Sequence, residues 1–168
     1  MEGDSLLQQI YFASMGNQLI TFTISNEYYG VEILKIQELI GFKSVTPVPN
    51  LPDFIIGVIN LRGSVLPVID LRRKFKMTPR EYDKFSVIIV LNVDNRLVGI
   101  VVDSVHDVVS LSGDKISETP SFTTKIDTAF IKNITYIDNK LVIILDTEKI
   151  LSLEEIKAIW YNIILYLK

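Results

Sequence analysis

The chain has 168 residues, a net charge of −3 and no cysteine. That length allows a sizeable buried core, in one domain or in two small domains packed closely together. The charge provides no overall positive field that would attract nucleic acid, and the lack of cysteine excludes disulfides, cysteine-based zinc sites and a thiol nucleophile.

The distribution of apolar residues argues against a membrane protein. No run reaches the roughly 18 consecutive apolar residues of a transmembrane helix. Residues 1–10 are acidic and lack the basic-then-apolar order of a signal peptide. We therefore expect a cytoplasmic protein without direct membrane insertion. Its hydrophobic content of 48% and mean hydropathy of +0.32 are high; an apolar partner-binding surface and a β-rich core explain them equally well.

The first predicted elements form a β-hairpin. Residues 20–25 alternate apolar and polar side chains with the period of a strand. Residues 26–27 are a plausible turn, and residues 28–34 return as the partner strand. Residues 35–39 are predicted to form a short helical turn that ends at Gly41.

A proline-rich connector leads to a second hairpin. Residues 47–52 contain three prolines, which excludes a helix or a central strand. Residues 53–56 are predicted to form a helical turn. The block NLRGSVLPVIDLR, residues 60–72, then enters and leaves a turn at Gly63, where glycine permits a positive φ. Arg62 is expected to project from the tip of this hairpin.

The pattern of the first half of the chain recurs in the second half. A shift of 69 residues places Ile20 on Ile89, Asn26 on Asn95, Gly30 on Gly99 and Glu38 on Asp107, and a shift of 76 places Asp70 on Asp146. Each half reads as strand, turn, strand, crossover, hairpin and aspartate. This repetition favours two small barrels, roughly residues 17–83 and 84–150, over one sandwich, although small β units share such a pattern by coincidence too.

The last segment, residues 151–168, is predicted to be a helix. Ser152 and Glu155 have the spacing of a capping box. Helical periodicity then forms one apolar stripe, expected to pack on the body of the protein, from Ile156, Ile159, Trp160, Ile163 and Leu167. The other face also carries Tyr161, Leu165 and Tyr166, so a partner-binding or self-associating tail is the alternative.

Few residues suggest catalysis. Asp70 and Asp103 each follow an apolar strand, which is compatible with an acid/base pair or with aspartates that cap the following turn. The recurrence at Asp146 favours capping. His106 is the only histidine, so we expect neither a histidine-rich metal site nor a catalytic triad. The basic residues 72–74 indicate a solvated helical turn or a site for an acidic partner.

Three segments together resemble the CheW family of chemotaxis adaptors. They are NLRGSVLPVIDLR at 60–72, YGVEILKIQE at 29–38 and LVGIVVD at 97–103. The resemblance extends over residues 15–150. It implies a mainly β fold of two packed SH3-like five-stranded β-barrels with a C-terminal α-helix, and it implies no enzymatic activity, no cofactor and no metal.

The resemblance also implies partners and a site. Family members couple chemotaxis receptors (methyl-accepting chemotaxis proteins) to the histidine kinase CheA in a cytoplasmic array; they contact the kinase's regulatory domain and the cytoplasmic tip of the receptors. Matched positions imply a receptor-binding site formed by Ile36, Glu38, Gly57, Arg62, Gly63 and Val108. Glu38 and Arg62 are expected to lie close together at the receptor-facing groove. For Ile36 and Val108, a core position is the equal alternative.

Three other functions are compatible with the sequence. The chain could resemble the regulatory domain of the kinase or an adaptor that carries a receiver domain, although its length leaves no room for an attached kinase or receiver. It could be a scaffold that self-assembles through its C-terminal helix. The third alternative is a double-barrel hydrolase that uses Asp70 and Asp103, whose carboxyl groups would then share a cleft with a separation of roughly 5–10 Å.

Overall fold

The computed structural model describes residues 18–111, 116–117 and 126–168. Within these residues the chain forms eleven β-strands, two α-helices and three 3-10 turns. The strands are β1 (Gln18–Ile24), β2 (Glu27–Glu32), β3 (Ile36–Gly41), β4 (Ile55–Leu61), β5 (Ser64–Asp70), β6 (Val87–Val93), β7 (Arg96–Val102), β8 (Ser104–Ser110), β9 (Ile116–Ser117), β10 (Ile131–Ile137) and β11 (Lys140–Leu145). The helices are α1 (Leu71–Lys74) and α2 (Leu153–Leu167), and the 3-10 turns are Ile33–Lys35, Thr128–Phe130 and Thr147–Lys149.

The strands form two sheets. One sheet has the order β8-β1-β2-β11-β10-β9, and the other has the order β3-β6-β7-β5-β4. Pairing is antiparallel except between β2 and β11 and between β5 and β7. The predicted mainly β architecture is confirmed. The sheets do not coincide with the two sequence halves, however, because each sheet takes strands from both. Residues 15–17, at the start of the predicted domain, lie outside the described residues.

The sequence repeat is reproduced in the secondary structure. A shift of 69 residues carries the bounds of β1 onto those of β6, and a shift of 76 carries β4 onto β10. The edges of the two sheets also correspond. Thr46, which follows β3, exchanges two backbone hydrogen bonds with Val58 of β4, with N–O distances of 2.8 and 2.9 Å. In the other sheet β9, which follows β8, pairs with β10.

Tight turns explain why the hairpins form where they do. Four two-residue connections have positive φ at both positions, which is the signature of type I′ turns between twisted strands. They are Ser25–Asn26, Arg62–Gly63, Asp94–Asn95 and Asp138–Asn139. The first hairpin turn therefore lies one residue earlier than predicted. The positive φ predicted for Gly63 is confirmed at 87°.

The core lies between and within the sheets. Strands β6 and β7 are buried on both faces, so they read as continuous apolar runs. Ile89 and Leu91 contribute to a main core that joins both sheets and α2, whereas Ile88 and Val90 belong to a smaller cluster with Leu66. This arrangement explains the high apolar content by a β-rich interior.

Two predicted helical turns are wrong. The segment predicted as helical at 35–39 is mostly β3, and the helical turn lies earlier, at Ile33–Lys35. β3 is extended because it pairs with β6 along its length. The second predicted turn, at 53–56, gives way to β4, which begins at Ile55 opposite Ile69. In both cases pairing with a distant strand overrides the local pattern.

The C-terminal helix packs on the body, and its predicted capping box is present. Ile159 and Ile163 are buried, and Ile156 and Trp160 are partly buried against the main core. Leu167 was assigned to the buried stripe, and that is wrong, because it is exposed. The helix has fewer than four turns in contact with the sheets, so its last turn extends past the surface that could cover it.

An ion pair from α1 holds the start of α2. Lys74 Nζ donates to both carboxylate oxygens of Glu155, at 2.8 and 2.9 Å, and lies 4.1 Å from the centroid of the Phe54 ring. The Lys74 side chain is only 8% exposed. Burial raises the pKa of Glu155, but hydrogen bonds from Lys74 and Ser152 outweigh it and leave that pKa below its usual value.

Candidate protein-interaction surfaces

The turn between β4 and β5 projects Arg62 across the end of the five-stranded sheet. Arg62 has φ of 51° and Gly63 has φ of 87°, as the type I′ turn requires. Asn60 Oδ1 accepts a hydrogen bond from the Gly63 amide at 2.9 Å and so fixes the turn. The local sequence therefore presets the direction of the Arg62 side chain.

Arg62 reaches Glu38 on β3 in a bidentate pair. The Nη1–Oε2 distance is 2.5 Å and the Nη2–Oε1 distance is 2.9 Å. The hydrogen bond from Arg62 is the main reason that the pKa of Glu38 lies below its usual value. Arg62 is 74% exposed on its side chain. The predicted proximity is confirmed, and the pair joins one edge strand to the turn of the opposite hairpin.

Gly57 has a local structural explanation. It is buried on β4 with φ of 154°, and a Cβ at this position would lie 2.4 Å from the carbonyl oxygen of Thr46. The backbone that comes close to Gly57 is therefore that of the same chain. A side chain here would break the pairing that links the connector after β3 to β4, whatever partner binds outside. The predicted receptor contact at Gly57 stays a prediction.

The remaining predicted site residues lie in different places. Ile36 is partly buried and packs against the main core. Val108, by contrast, is 54% exposed on β8, so the alternative of a core position is wrong for Val108. Ile36, Glu38, Gly57 and the Arg62–Gly63 turn belong to the five-stranded sheet, whereas Val108 belongs to the six-stranded sheet.

One exposed apolar residue was missed. Leu39, on the same edge strand as Glu38, is 41% exposed. The shift of 69 residues places Leu39 on Val108. The two edge strands β3 and β8 thus present an exposed aliphatic side chain next to an acidic one at corresponding positions, a signal that the repeat already contained.

Asp70 caps a helix, as predicted. Its side chain is buried; Oδ1 accepts from the Arg72 amide at 2.9 Å and Oδ2 from the Tyr82 hydroxyl at 2.6 Å. Burial and the hydrogen bond to Asp70 raise the pKa of Tyr82. Asp146 likewise accepts from the Glu148 amide, at 3.2 Å. Both capping predictions are confirmed.

Asp103 is not a cap for the next turn. Its carboxylate accepts from Arg72 Nε at 3.0 Å, from Arg72 Nη2 at 2.6 Å and from the Ser25 amide at 2.8 Å. Burial raises the pKa of Asp103, but these hydrogen bonds outweigh it and lower the pKa overall. A carboxylate fully engaged by a guanidinium has no free lone pair for acid/base chemistry, and the hydrolase alternative loses its second residue.

This network ties the two sheets together. Ser25 lies in the β1–β2 turn of the six-stranded sheet, whereas Arg72 follows β5 of the five-stranded sheet. The Arg72 and Asp103 side chains are only 12% and 15% exposed. The prediction of a solvated basic turn is therefore wrong for Arg72 and, as described above, for Lys74, because both are consumed by internal ion pairs. Only Arg73 of the three is largely exposed.

His106 lies exposed on β8, and its Nε2 is 3.1 Å from the Ser104 hydroxyl. Its ring lies 5.4 Å from that of Tyr28. These contacts satisfy the imidazole structurally, as expected. Among the described residues, no helix is long and apolar enough to cross a membrane.

Comparisons with known proteins agree with this geometry. A family model described as the CheW-like domain matches residues 18–155. The chain is 42% identical to the chemotaxis protein CheW of Klebsiella aerogenes over 159 residues, covering 95% of this chain and 96% of that protein. It is 32% identical to the chemotaxis protein CheW of Thermotoga maritima over 138 residues, covering 80% and 87% of the two.

A solved structure supports the same assignment. The crystal structure of the scaffolding protein TtCheW from Thermoanaerobacter tengcongensis matches with a TM-score of 0.78 and 35% identity, and the match covers 84% of this chain and 96% of that one. This likeness agrees with the predicted SH3-like fold. The chain belongs to the CheW family of non-catalytic chemotaxis scaffold proteins.

Proposed function

We propose that this chain is the adaptor that couples chemotaxis receptors to the histidine kinase CheA in a cytoplasmic signalling array. The observation that carries the proposal is the bidentate Glu38–Arg62 pair, which is exposed, needs both residues of the family motif and fixes the end of the five-stranded sheet. A pair so exposed contributes little to folding. Its geometry suits the positioning of a binding surface.

One partner is the cytoplasmic tip of a receptor, an apolar helical hairpin. Glu38 and Arg62 hold the β4–β5 turn against β3, and Ile36, Gly57 and Gly63 belong to the same sheet end. Val108 contributes from the neighbouring sheet, so the receptor helices lie in a groove to which both sheets contribute. Exposed aliphatic side chains next to charged ones match the alternating face of an amphipathic helix.

The other partner is the regulatory domain of CheA, itself built from two related barrels. The exposed residues Leu39 and Val108 occur on corresponding edge strands. An adaptor with surfaces on both sheets bridges two different partners, and it associates with the membrane only through them. Each contact is expected to be modest in affinity, with strength arising from many simultaneous contacts.

The experiment measures binding of a receptor cytoplasmic fragment and of the CheA regulatory domain to the same protein preparation. Arg62→Ala is expected to weaken receptor binding about tenfold with little change in melting temperature. The double variant Glu38→Arg with Arg62→Glu restores the pair in reverse and is expected to recover part of that binding. Lys132→Ala, which removes the exposed Lys132–Glu32 pair, is the matched control.

Two results would contradict the proposal. If Arg62→Ala binds the receptor fragment like the unmodified protein, the Glu38–Arg62 pair has no part in the site. If neither fragment binds the unmodified protein at all, the coupling function itself is wrong. Loss of binding that accompanies a collapsed melting transition would show that the pair supports the fold instead.

A further inference from the structure

The outward face of α2 is unusually apolar for a surface helix. Six large apolar residues on this helix each expose between 47% and 67% of their area: Leu153, Tyr161, Ile164, Leu165, Tyr166 and Leu167. Together they present roughly 600 Å² of apolar surface, at the upper end of the patches found on ordinary monomers. Neither the receptor site nor the CheA contact proposed above uses any of these residues.

A groove runs beside the first half of the same helix. It has a volume of about 400 Å³ and lies between α2 and the β6–β7 hairpin. Val93, Val98, Ile156 and Trp160 form its apolar walls, and Ile164 lies at one end. The Arg96 guanidinium lies 5.4 Å from the centroid of the Trp160 ring at its rim. The groove is shaped to accept apolar side chains of a helix.

The groove and the protruding residues occupy opposite ends of one helix. Leu153 to Trp160 border the groove, and Tyr161 to Leu167 carry most of the exposed apolar side chains. When two such helices pack antiparallel about a two-fold axis, the protruding half of each lies on the groove of the other. The surface is therefore complementary to itself, as an isologous interface requires.

We infer that α2 forms a two-fold symmetric dimer interface with a second copy of this chain. The exposed apolar face and the groove walls together approach the roughly 800 Å² per partner of a standard interface. Helices of 15 residues, about 22 Å long, are sufficient to provide that contact. Dimerisation through α2 leaves the Glu38–Arg62 pair uncovered, because that pair lies at the far edge of the five-stranded sheet and contributes nothing to this face.

The test measures molar mass by analytical ultracentrifugation from roughly 1 µM to 1 mM protein. We expect dimer formation within this range, accompanied by a concentration-dependent blue shift of the fluorescence of Trp160, the only tryptophan. Leu165→Asp is expected to raise the dissociation constant at least tenfold. Leu34→Asp is the matched control, because Leu34 and Leu165 are both leucines with 49% exposure.

Three results would overturn the inference. They are a monomer at every concentration, a dissociation constant that Leu165→Asp leaves unchanged, or Trp160 protection that does not depend on concentration and disappears when residues 1–17 are deleted. The last result would mean that the chain's own N-terminal segment fills the groove. If Leu165→Asp lowers the melting temperature of the monomer, Tyr161→Glu on the same face replaces it in the comparison.

Discussion

Replacing Asp103 by asparagine tests how the two sheets are held together. The carboxylate of Asp103 accepts two hydrogen bonds from Arg72 and one from the Ser25 amide. Asparagine keeps the size of the side chain but removes its charge and one of its two acceptor oxygens. Arg72 then keeps its positive charge in a largely buried position without its partner.

The magnitude follows from the burial of the pair. Removing one member of a fully buried ion pair costs about 3–5 kcal/mol, whereas an exposed pair contributes about 0–1 kcal/mol. Because the Arg72 and Asp103 side chains are 12% and 15% exposed, we expect a loss near the lower end of the buried range, about 2–3 kcal/mol. For a chain of this size that corresponds to a fall in melting temperature of about 5–10 °C.

The assay is thermal and urea unfolding of Asp103→Asn at neutral pH, with Glu32→Gln as the control. Glu32 forms an ion pair with Lys132 of similar length, 2.9 Å, but far more exposed, so its loss is expected to cost less than about 1 kcal/mol. In a double-mutant cycle, Arg72→Met is expected to cost less in the Asp103→Asn background than alone, because the two residues act as a unit.

The pH dependence provides a second test of the same pair. The pKa of Asp103 is lowered in the folded state, so the folded chain binds fewer protons than the unfolded chain. The stabilisation is therefore complete above the ordinary aspartate pKa of about 3.9 and is lost as the pH falls through the lowered value. The difference in stability between the unmodified protein and Asp103→Asn should narrow below about pH 4.

The reasoning would be refuted by a small effect with no pH dependence. If Asp103→Asn melts within about 1 °C of the unmodified protein at neutral pH, the pair contributes no more than an exposed one. A stability difference that stays constant down to the acid transition would show that the carboxylate charge is irrelevant.

Two further predictions concern residues with a specific packing role. Gly57→Ala is expected to cost at least about 2 kcal/mol, because the new methyl group would meet the carbonyl of Thr46; Gly41→Ala, where the added Cβ has open space, is the control, and equal urea midpoints for the two variants would contradict the explanation. Lys74→Met is expected to leave the Glu155 carboxylate without its cation and to loosen the C-terminal helix, with a loss of about 2 kcal/mol and a red shift in tryptophan fluorescence; an unchanged spectrum and melting temperature would show that the ion pair does not anchor the helix.

Much of the candidate site could be predicted from sequence because its elements are local. The type I′ turn at Arg62–Gly63, the cap at Asp70 and the capping box at Ser152 and Glu155 each depend on residues within four positions of one another. The 69- and 76-residue repeats predicted corresponding strands for the same reason, since each hairpin is specified by its own alternation and turn. The Glu38–Arg62 contact spans 24 residues and required the family resemblance.

The strands whose type was misjudged are those that depend on distant partners. Residues 35–39 look helical alone but pair with β6, more than 45 residues later. Leu167 fits the apolar stripe of α2 by periodicity, yet the sheets end before it and leave it exposed. Arg72 and Lys74 read as solvated cations because their partners, Asp103 and Glu155, lie 31 and 81 residues away.

The amino-acid sequence by itself determined the hairpins, their turns, the helix cap, the repeat and the family, because these follow from interactions among neighbouring residues and from conserved patterns of side chains within short segments. The tertiary structure alone decided that the sheets exchange strands between the two halves, that the basic turn is spent on internal ion pairs, and that α2 keeps an apolar face outside. Those outcomes depend on which surfaces meet after the chain has folded back on itself, and pairing across 31 to 81 residues leaves no periodic trace in the local sequence.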